Sequence, residues 1–364
     1  MSALRAIGWP LDGDAGHADW RRQLAAHPDA RPARVIEQHR SGYVVTETPD
    51  GGAMAESLPD WQRPRTPPDQ RAAVGDWVLV EGQGDAQPRI VALLPRHSAI
   101  KRGAAGEHYK QQLIAANIDT VFVVSGLDAD FNPRRIERYL LLIAGSGATP
   151  VVVLTKADRD GADAGAAQAA LAEVAALGVA VVALNAKDRA AVDAALAPWL
   201  QPGRTAVLVG SSGAGKSTLT NSLLGTERMK TAQVREHDAR GRHTTTHRAL
   251  IALPSGACLI DTPGMRELKP TGEEDVAESF ADVEALAERC RFRDCAHASE
   301  PGCAVRAALE AGTLDPGRFA NYLKLRDEVV GAANQLATRQ AQKAGARVQT
   351  KALNRRLDDK HGKR

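Results

Sequence analysis

Gly210-Ser-Ser-Gly-Ala-Gly-Lys-Ser217 matches the phosphate-cradling pattern G-x-x-x-x-G-K-[ST] at every position. It lies between the apolar run Ala206-Val-Leu-Val209 and Thr218-Leu-Thr-Asn-Ser-Leu-Leu224, the strand, loop and helix that such a pattern requires. The glycines let the backbone turn tightly enough to aim several amides at phosphate oxygens, and the following helix adds the positive end of its dipole. Gly210, Ser211, Ser212, Gly213, Ala214, Gly215, Lys216, Ser217 and Thr218 are therefore expected to contact a nucleotide. Lys216 is expected to reach the β and γ phosphates and Ser217 to ligate magnesium.

Other strand ends carry matching chemistry. Thr155-Lys-Ala-Asp158 follows Pro150-Val-Val-Val-Leu154 and fits the [N/T]-K-x-D pattern of GTP-binding proteins. A carboxylate at Asp158 accepts from both N1–H and the exocyclic amine of guanine, a pair adenine does not offer, while the Lys156 stem lies along the purine. Ala157 completes that loop. Asn185 and Ala186, after the next strand, occupy the place where a backbone amide would meet the guanine carbonyl. Asp261-Thr-Pro-Gly264 follows Ala257-Cys-Leu-Ile260 and fits D-x-x-G, with Asp261 expected to hold magnesium through water and the Gly264 N–H to sense the γ phosphate. In Gly241-Arg-His-Thr-Thr-Thr246, Thr245 is expected to close over magnesium as the first switch.

The order of these loops is unusual. The base-selecting loop precedes the phosphate loop, whereas in ordinary small GTPases it follows. All of them still converge on the carboxyl edge of a doubly wound parallel sheet, so residues 101–272 read as a circularly permuted α/β P-loop GTPase domain. Before it, residues 33–100 hold short β-like runs punctuated by glycines, the pattern of a small barrel such as an OB-fold. Such a barrel serves either oligonucleotide binding or docking, and the balanced charge there favours neither. Residues 1–32 read as a loosely packed extension, and residues 273–364 as a helical metal-binding module.

That last module contains Cys290, Cys295, His297 and Cys303 in the spacing C-x4-C-x-H-x5-C. Three thiolates and an imidazole make a closed tetrahedral set, suited to one structural zinc ion rather than to a catalytic site with an open position. After Arg318-Phe-Ala-Asn-Tyr-Leu323 the chain reads as helical to its end, and from Arg339 it carries nine basic residues against Asp358 and Asp359. The first five recur every fourth residue, a positive stripe suited to RNA phosphates. No apolar run approaches the roughly 18 residues of a membrane span, and the start has no signal-peptide layout. A soluble, cytoplasmic protein with no membrane partner is the expectation. The formal net charge of +3 names no partner by itself.

Taken together, the T-K-A-D loop, G-S-S-G-A-G-K-S-T, G-R-H-T-T-T, D-T-P-G and the cysteine-histidine spacing, in that order, resemble the bacterial RsgA family of circularly permuted GTPases. The resemblance spans about residues 33–322. It implies an OB-fold, a permuted GTPase domain and a zinc domain. It also implies GTP hydrolysis to GDP stimulated by the small ribosomal subunit and its rRNA, during late maturation of that subunit, by a protein that is monomeric off the ribosome. Two positions depart from the family's usual pattern: Thr155 stands where Asn is common, and Asn185 where Ser is common. Met265 follows D-x-x-G and cannot orient water, so slow intrinsic hydrolysis is expected, with His243 or an rRNA-bound arrangement completing the site. Lys216, His243 and Thr245 are the catalytic candidates. The alternatives are a P-loop GTPase acting on another RNA or ribonucleoprotein, a nucleotide-gated RNA-binding scaffold, and a P-loop ATPase or metabolite kinase, which would have no use for Asp158.

Overall fold

The computed structural model describes all residues except 1, 10–17, 40–41, 64–65, 68–69, 83–85, 104–110, 227–248, 262–269 and 362–364. Side chains are described up to residue 342, apart from 111, 339 and 340. The candidates His243, Thr245, Gly264 and Met265 lie outside the described residues.

Five strands build the first unit: β1 (Arg31–Gln38), β2 (Tyr43–Thr46), β3 (Ala53–Ala55), β4 (Trp77–Glu81) and β5 (Arg89–Leu93). β1 runs antiparallel to both β2 and β4, β2 pairs with β3 and β4 with β5. A parallel bridge between Glu56 and Arg89 joins the two ends, which closes the small barrel expected from the sequence. Bulges between Val35 and Glu37 and between Leu79 and Val80 give the strands the bend that closure needs. Period-2 alternation puts Val35, Val45, Val78, Val80 and Ile90 inside, around Tyr43 and Trp61.

The outward face of β4 explains what the first residues do. Trp77 meets Trp9 with ring centroids 4.7 Å apart, Trp9 meets Trp20 at 5.0 Å, and the Trp20 indole N–H donates to the Pro95 carbonyl. Ile7, Trp9 and Trp20 are buried in the same core as Leu79, Val121 and Val207. The described part of the extension is thus a wedge between barrel and sheet and not a loose tail. Scattered aromatics carry no periodicity, so the sequence gives no warning of this. Arg34, fully buried at the same junction, donates to the carbonyls of Ile7, Gly75 and Asn117.

A hairpin of β6 (Ala99–Gly103) and β7 (Gln111–Ala116) follows, spanning residue 100. The central sheet then comprises β8 (Thr120–Gly126), β9 (Thr149–Thr155), β10 (Ala180–Ala183), β11 (Thr205–Val209), β12 (Ala249–Ala252) and β13 (Cys258–Asp261). Their order is β10-β9-β8-β11-β13-β12. All neighbours are parallel except β12 against β13, and β12 also pairs with β1 through Ala249 and Glu37, so one sheet runs on into the barrel. Helices cover both faces, as a parallel sheet requires. Val121, Val123, Val207 and Val209 pack with Ile136, Tyr139 and Leu142 of the helix Pro133–Ile143 on one face. Phe122, Val124, Ala206 and Leu208 pack with Val192, Leu196, Leu219 and Leu223 of the helices Arg189–Leu196 and Lys216–Leu224 on the other.

The C-terminal module consists of the helices Val276–Ser279, Ala281–Ala287, Ala304–Glu310 and Pro316–His361 around Phe280, Val283, Val305, Leu314 and Leu325. It is fixed to the sheet by a buried ionic knot. Arg318 forks onto Asp282, reaches Glu137 at 3.1 Å and lies over the Phe280 ring, while Asn321 donates to the second Glu137 oxygen at 2.7 Å. Among the described residues no helix is long and apolar enough to cross a membrane.

Candidate nucleotide site and metal centre

The parallel strands β8, β9, β10, β11 and β13 deliver five loops to one edge, the carboxyl edge at which open α/β sheets bind ligands. β11 ends in the glycine loop. Gly210 has φ 142°, and a Cβ there would stand 2.2 Å from the Val124 carbonyl oxygen of β8, so the loop can leave the sheet only with glycine in place. At Gly215, φ 96°, a Cβ would press on the Thr155 hydroxyl at 2.8 Å. That closeness serves a bond: Thr155 Oγ1 donates to the Ala214 carbonyl at 2.6 Å, tying the β9 loop to the β11 loop. Thr155 is fully buried. Lys216 opens the helix after Gly215 and its Nζ donates back to the carbonyls of Gly210 and Ser211, curled over the loop it belongs to. Ser212, Gly213, Ser217 and Thr218 complete the turn and the first helical residues.

Around this centre the other candidates take their places. Lys156 adopts a left-handed backbone, φ 63°, directly after β9, and its ammonium bonds the Asp128 carboxylate at 2.5 Å. Ala157 N–H donates to the Leu184 carbonyl, linking this loop to the end of β10. Asp158 pairs with Lys187 at 3.1 Å, which holds its carboxyl below the usual range. Asn185 Oδ1 accepts from the Lys187 amide, and the Ala186 carbonyl accepts from Ser222 in the helix behind the glycine loop. Asp261 closes β13 beside β11.

Two residues at this edge carry no sequence pattern. Asp128 and Asp130 lie in the loop after β8, between the β9 and β11 loops. Asp130 accepts from Arg135 at 2.6 Å and from the Ser211 hydroxyl at 2.5 Å, and these bonds, the first above all, lower its pKa. Burial pushes Asp128 up, but the bonds from Lys156 and the Asp130 amide outweigh it and leave its pKa below the ordinary value. The signal that could have found them is positional: both follow a fully buried strand at the edge where the other loops converge.

The second site is the cysteine cluster. The ligand atoms of Cys290, Cys295, His297 and Cys303 all lie within 4.8 Å of one another. Cys290 Sγ stands 3.9 Å from Cys303 Sγ and 3.6 Å from His297 Nδ1, and Cys303 Sγ is 3.5 Å from the same nitrogen. A tetrahedral ion with metal–sulfur bonds of about 2.3 Å and metal–nitrogen bonds of about 2.0 Å needs edges of roughly 3.5–3.8 Å. The four donors can therefore hold one metal ion. The turn that brings them together uses a left-handed His297, φ 59°, and the Glu300 carboxylate, which accepts from the amides of Ala296, Ala298 and Ser299.

A glycine loop of P-loop pattern on the central strand, with a T-K-A-D loop that comes earlier in the chain but lies beside it in space, is the arrangement of a circularly permuted P-loop GTPase. The crystal structure of YjeQ from Thermotoga maritima superposes with a TM-score of 0.60 at 24% identity, covering 83% of this chain and 99% of that one. YloQ, a circularly permuted GTPase, gives 0.57 at 21% identity, covering 83% and 96%. Residues 93–271 match the model of the RsgA GTPase family. The small ribosomal subunit biogenesis GTPase RsgA of Xanthomonas oryzae pv. oryzae (strain PXO99A) is 71% identical over 340 residues, 93% of this chain and 92% of that protein. Its counterpart in Xanthomonas axonopodis pv. citri (strain 306) is 70% identical over the same shares. The chain belongs to the RsgA GTPase family.

Proposed function

We propose that this GTPase couples GTP hydrolysis to late maturation of the small ribosomal subunit, and that the subunit with its rRNA stimulates the reaction. The observation that carries the reading is the bond between Thr155 and Ala214, which locks a guanine-type loop onto a phosphate loop so that one nucleotide spans both. The relatives' names supply the partner.

In this reading the amides from Gly210 to Thr218 cradle the phosphates, and Lys216 leaves the carbonyls of its own loop for the β and γ phosphate oxygens. Asp158 exchanges Lys187 for the guanine N1–H and amine, Lys156 flanks the purine, and Asn185 and Ala186 border its carbonyl side. Ser217, Thr245 and Asp261 hold magnesium, which when bound offsets the charge on the phosphates. Gly264 senses the γ phosphate, and His243 or an rRNA element orients water where Met265 cannot. Little covalent chemistry falls to the protein; positioning and charge do most of it. The metal held by Cys290, Cys295, His297 and Cys303 is zinc with a structural role, because a Cys3His set leaves no open position. The protein works in the cytoplasm, monomeric off the ribosome.

Steady-state GTP turnover with and without purified small subunits, at low and moderate salt, tests the reading. Strong stimulation that weakens with salt supports it. Slow turnover unchanged by subunits keeps the GTPase and removes this partner.

A further inference from the structure

Phe292 stands out because every other phenylalanine, tryptophan and tyrosine among the described residues is buried or half-buried. It sits between the first two cysteines of the metal loop with 41% of its surface exposed. The ring is held out by a braced loop: the Arg291 amide donates to the Gly302 carbonyl, and the Phe292 carbonyl accepts from the Cys295 amide. The Arg291 stem packs against Gly302, where a Cβ would stand 3.1 Å from its own Cβ, and its guanidinium reaches the Phe292 ring at 5.5 Å. Arg289 and Arg293 are exposed on either side. Glu300, the acid farther along the loop, spends its carboxylate on the loop's own amides, which leaves Glu288 and Asp294 as the acidic neighbours.

The exposed Phe292 ring takes no part in the packing of the module, whose core gathers around Phe280, Val283 and Val305. A single fixed aromatic face flanked by guanidinium groups is the composition that binds an unstacked nucleobase and its phosphates. We propose that the Arg291-Phe292-Arg293 knuckle is an RNA-binding platform on which one unpaired base stacks against Phe292 while Arg291 and Arg293 meet the adjoining phosphates. The inference rests on the proposed partnership with the small ribosomal subunit and names the chemistry by which the metal module takes part in it. A protein pocket for Phe292 is the competing occupant. The charge around the ring favours RNA, since a pocket that buries the ring would also have to desolvate the arginines beside it.

The test uses the full-length, metal-loaded chain and purified small subunits, with binding measured over a salt series and GTP turnover measured with and without subunits. Phe292→Ala is expected to weaken subunit binding by about 5- to 150-fold, the range that truncating a stacking ring produces, with metal content and subunit-free turnover unchanged. Phe292→Trp is expected to restore binding and Phe292→Leu to fail, because leucine has no π-face. Arg293→Ala is expected to lower the slope of log affinity against log salt by about one. Restoration by leucine as well as tryptophan would assign the ring to an apolar protein pocket and overturn the proposal. Wild-type affinity in Phe292→Ala would overturn it too, while leaving the subunit partnership intact. Failure of the wild-type chain itself to bind subunits would remove the partnership and this inference with it.

Discussion

The hydroxyl of Thr155 donates to the carbonyl of Ala214 across 59 positions of sequence, and this one bond holds the T-K-A-D loop against the glycine loop. The same closeness leaves Gly215 no room for a Cβ, which would stand 2.8 Å from the Thr155 hydroxyl. Both partners belong to the protein, so the chain itself sets how the two loops stand against each other.

Thr155→Ala leaves the Ala214 carbonyl without its donor in a buried setting, which costs about 1–3 kcal/mol. Part of that is expected as lower resistance to urea and part as weaker binding of a fluorescent GDP analogue. Thr155→Ser keeps the donor and is expected to stay near wild type. Equal GDP affinity and equal stability in the alanine variant would show that the bond contributes nothing.

Asp158 gives a test of base choice. In Asp158→Asn the amide nitrogen presents hydrogen where guanine also presents hydrogen, and preference for GTP is expected to fall at least about a hundredfold, as when a site loses a matched polar pair. Xanthosine triphosphate, with a carbonyl in place of the amine, is expected to gain affinity. Competition of the two nucleotides against fluorescent GDP reads both changes. Retained GTP preference would move base selection away from this loop.

The loops that sequence patterns single out were legible because phosphate and guanine recognition fix residue types at fixed spacings, and an alternating strand-helix pattern places those spacings at one sheet edge. The fold was legible for the same reason: β8 and β11 are unbroken apolar runs of buried-strand length. What was not legible depends on partners distant in sequence. Asp128 and Asp130 are two carboxylates in a loop until β9 and β11 bring Lys156 and Ser211 to them. Trp9 and Trp20 look like scattered aromatics until Trp77 turns outward from the barrel. Likewise the pairing of Ala249 with Glu37, which continues the sheet into the barrel, leaves no mark on either segment.

Glu137 and Arg318 are 181 residues apart and both buried, and their contact decides how firmly the metal module sits on the sheet. Arg318→Ala takes one of two guanidinium partners from the buried Glu137 carboxylate, leaving Arg134 and Asn321, and removes the fork on Asp282; it is expected to cost about 3 kcal/mol, the low end for a broken buried pair, seen as a lower unfolding midpoint. Glu137→Gln combined with Arg318→Met removes both charges and is expected to recover much of that loss. Additive losses in the double variant would show that the two side chains act independently.

Cys303 separates the two roles of the metal loop. Its sulfur is one of the four donors, and it also caps the helix Ala304–Glu310 by accepting from the Arg306 amide. Serine is a favoured cap but a poor substitute for thiolate as a zinc ligand. Cys303→Ser is therefore expected to keep the helix start and lose the metal, whereas Cys303→Ala loses both and is the less stable of the two by about 1 kcal/mol. Chelation of the wild-type chain is expected to release one metal ion per chain and to open residues 288–303 to proteolysis. GDP affinity is expected to stay within about twofold, because the nucleotide loops hang on strands that contain none of the four donors. Elemental analysis, limited proteolysis and GDP titration on the same samples check the three outcomes. If proteolysis at residues 288–303 proves indifferent to chelation, the loop holds its shape through the Glu300 bonds alone, and the metal has some other purpose there.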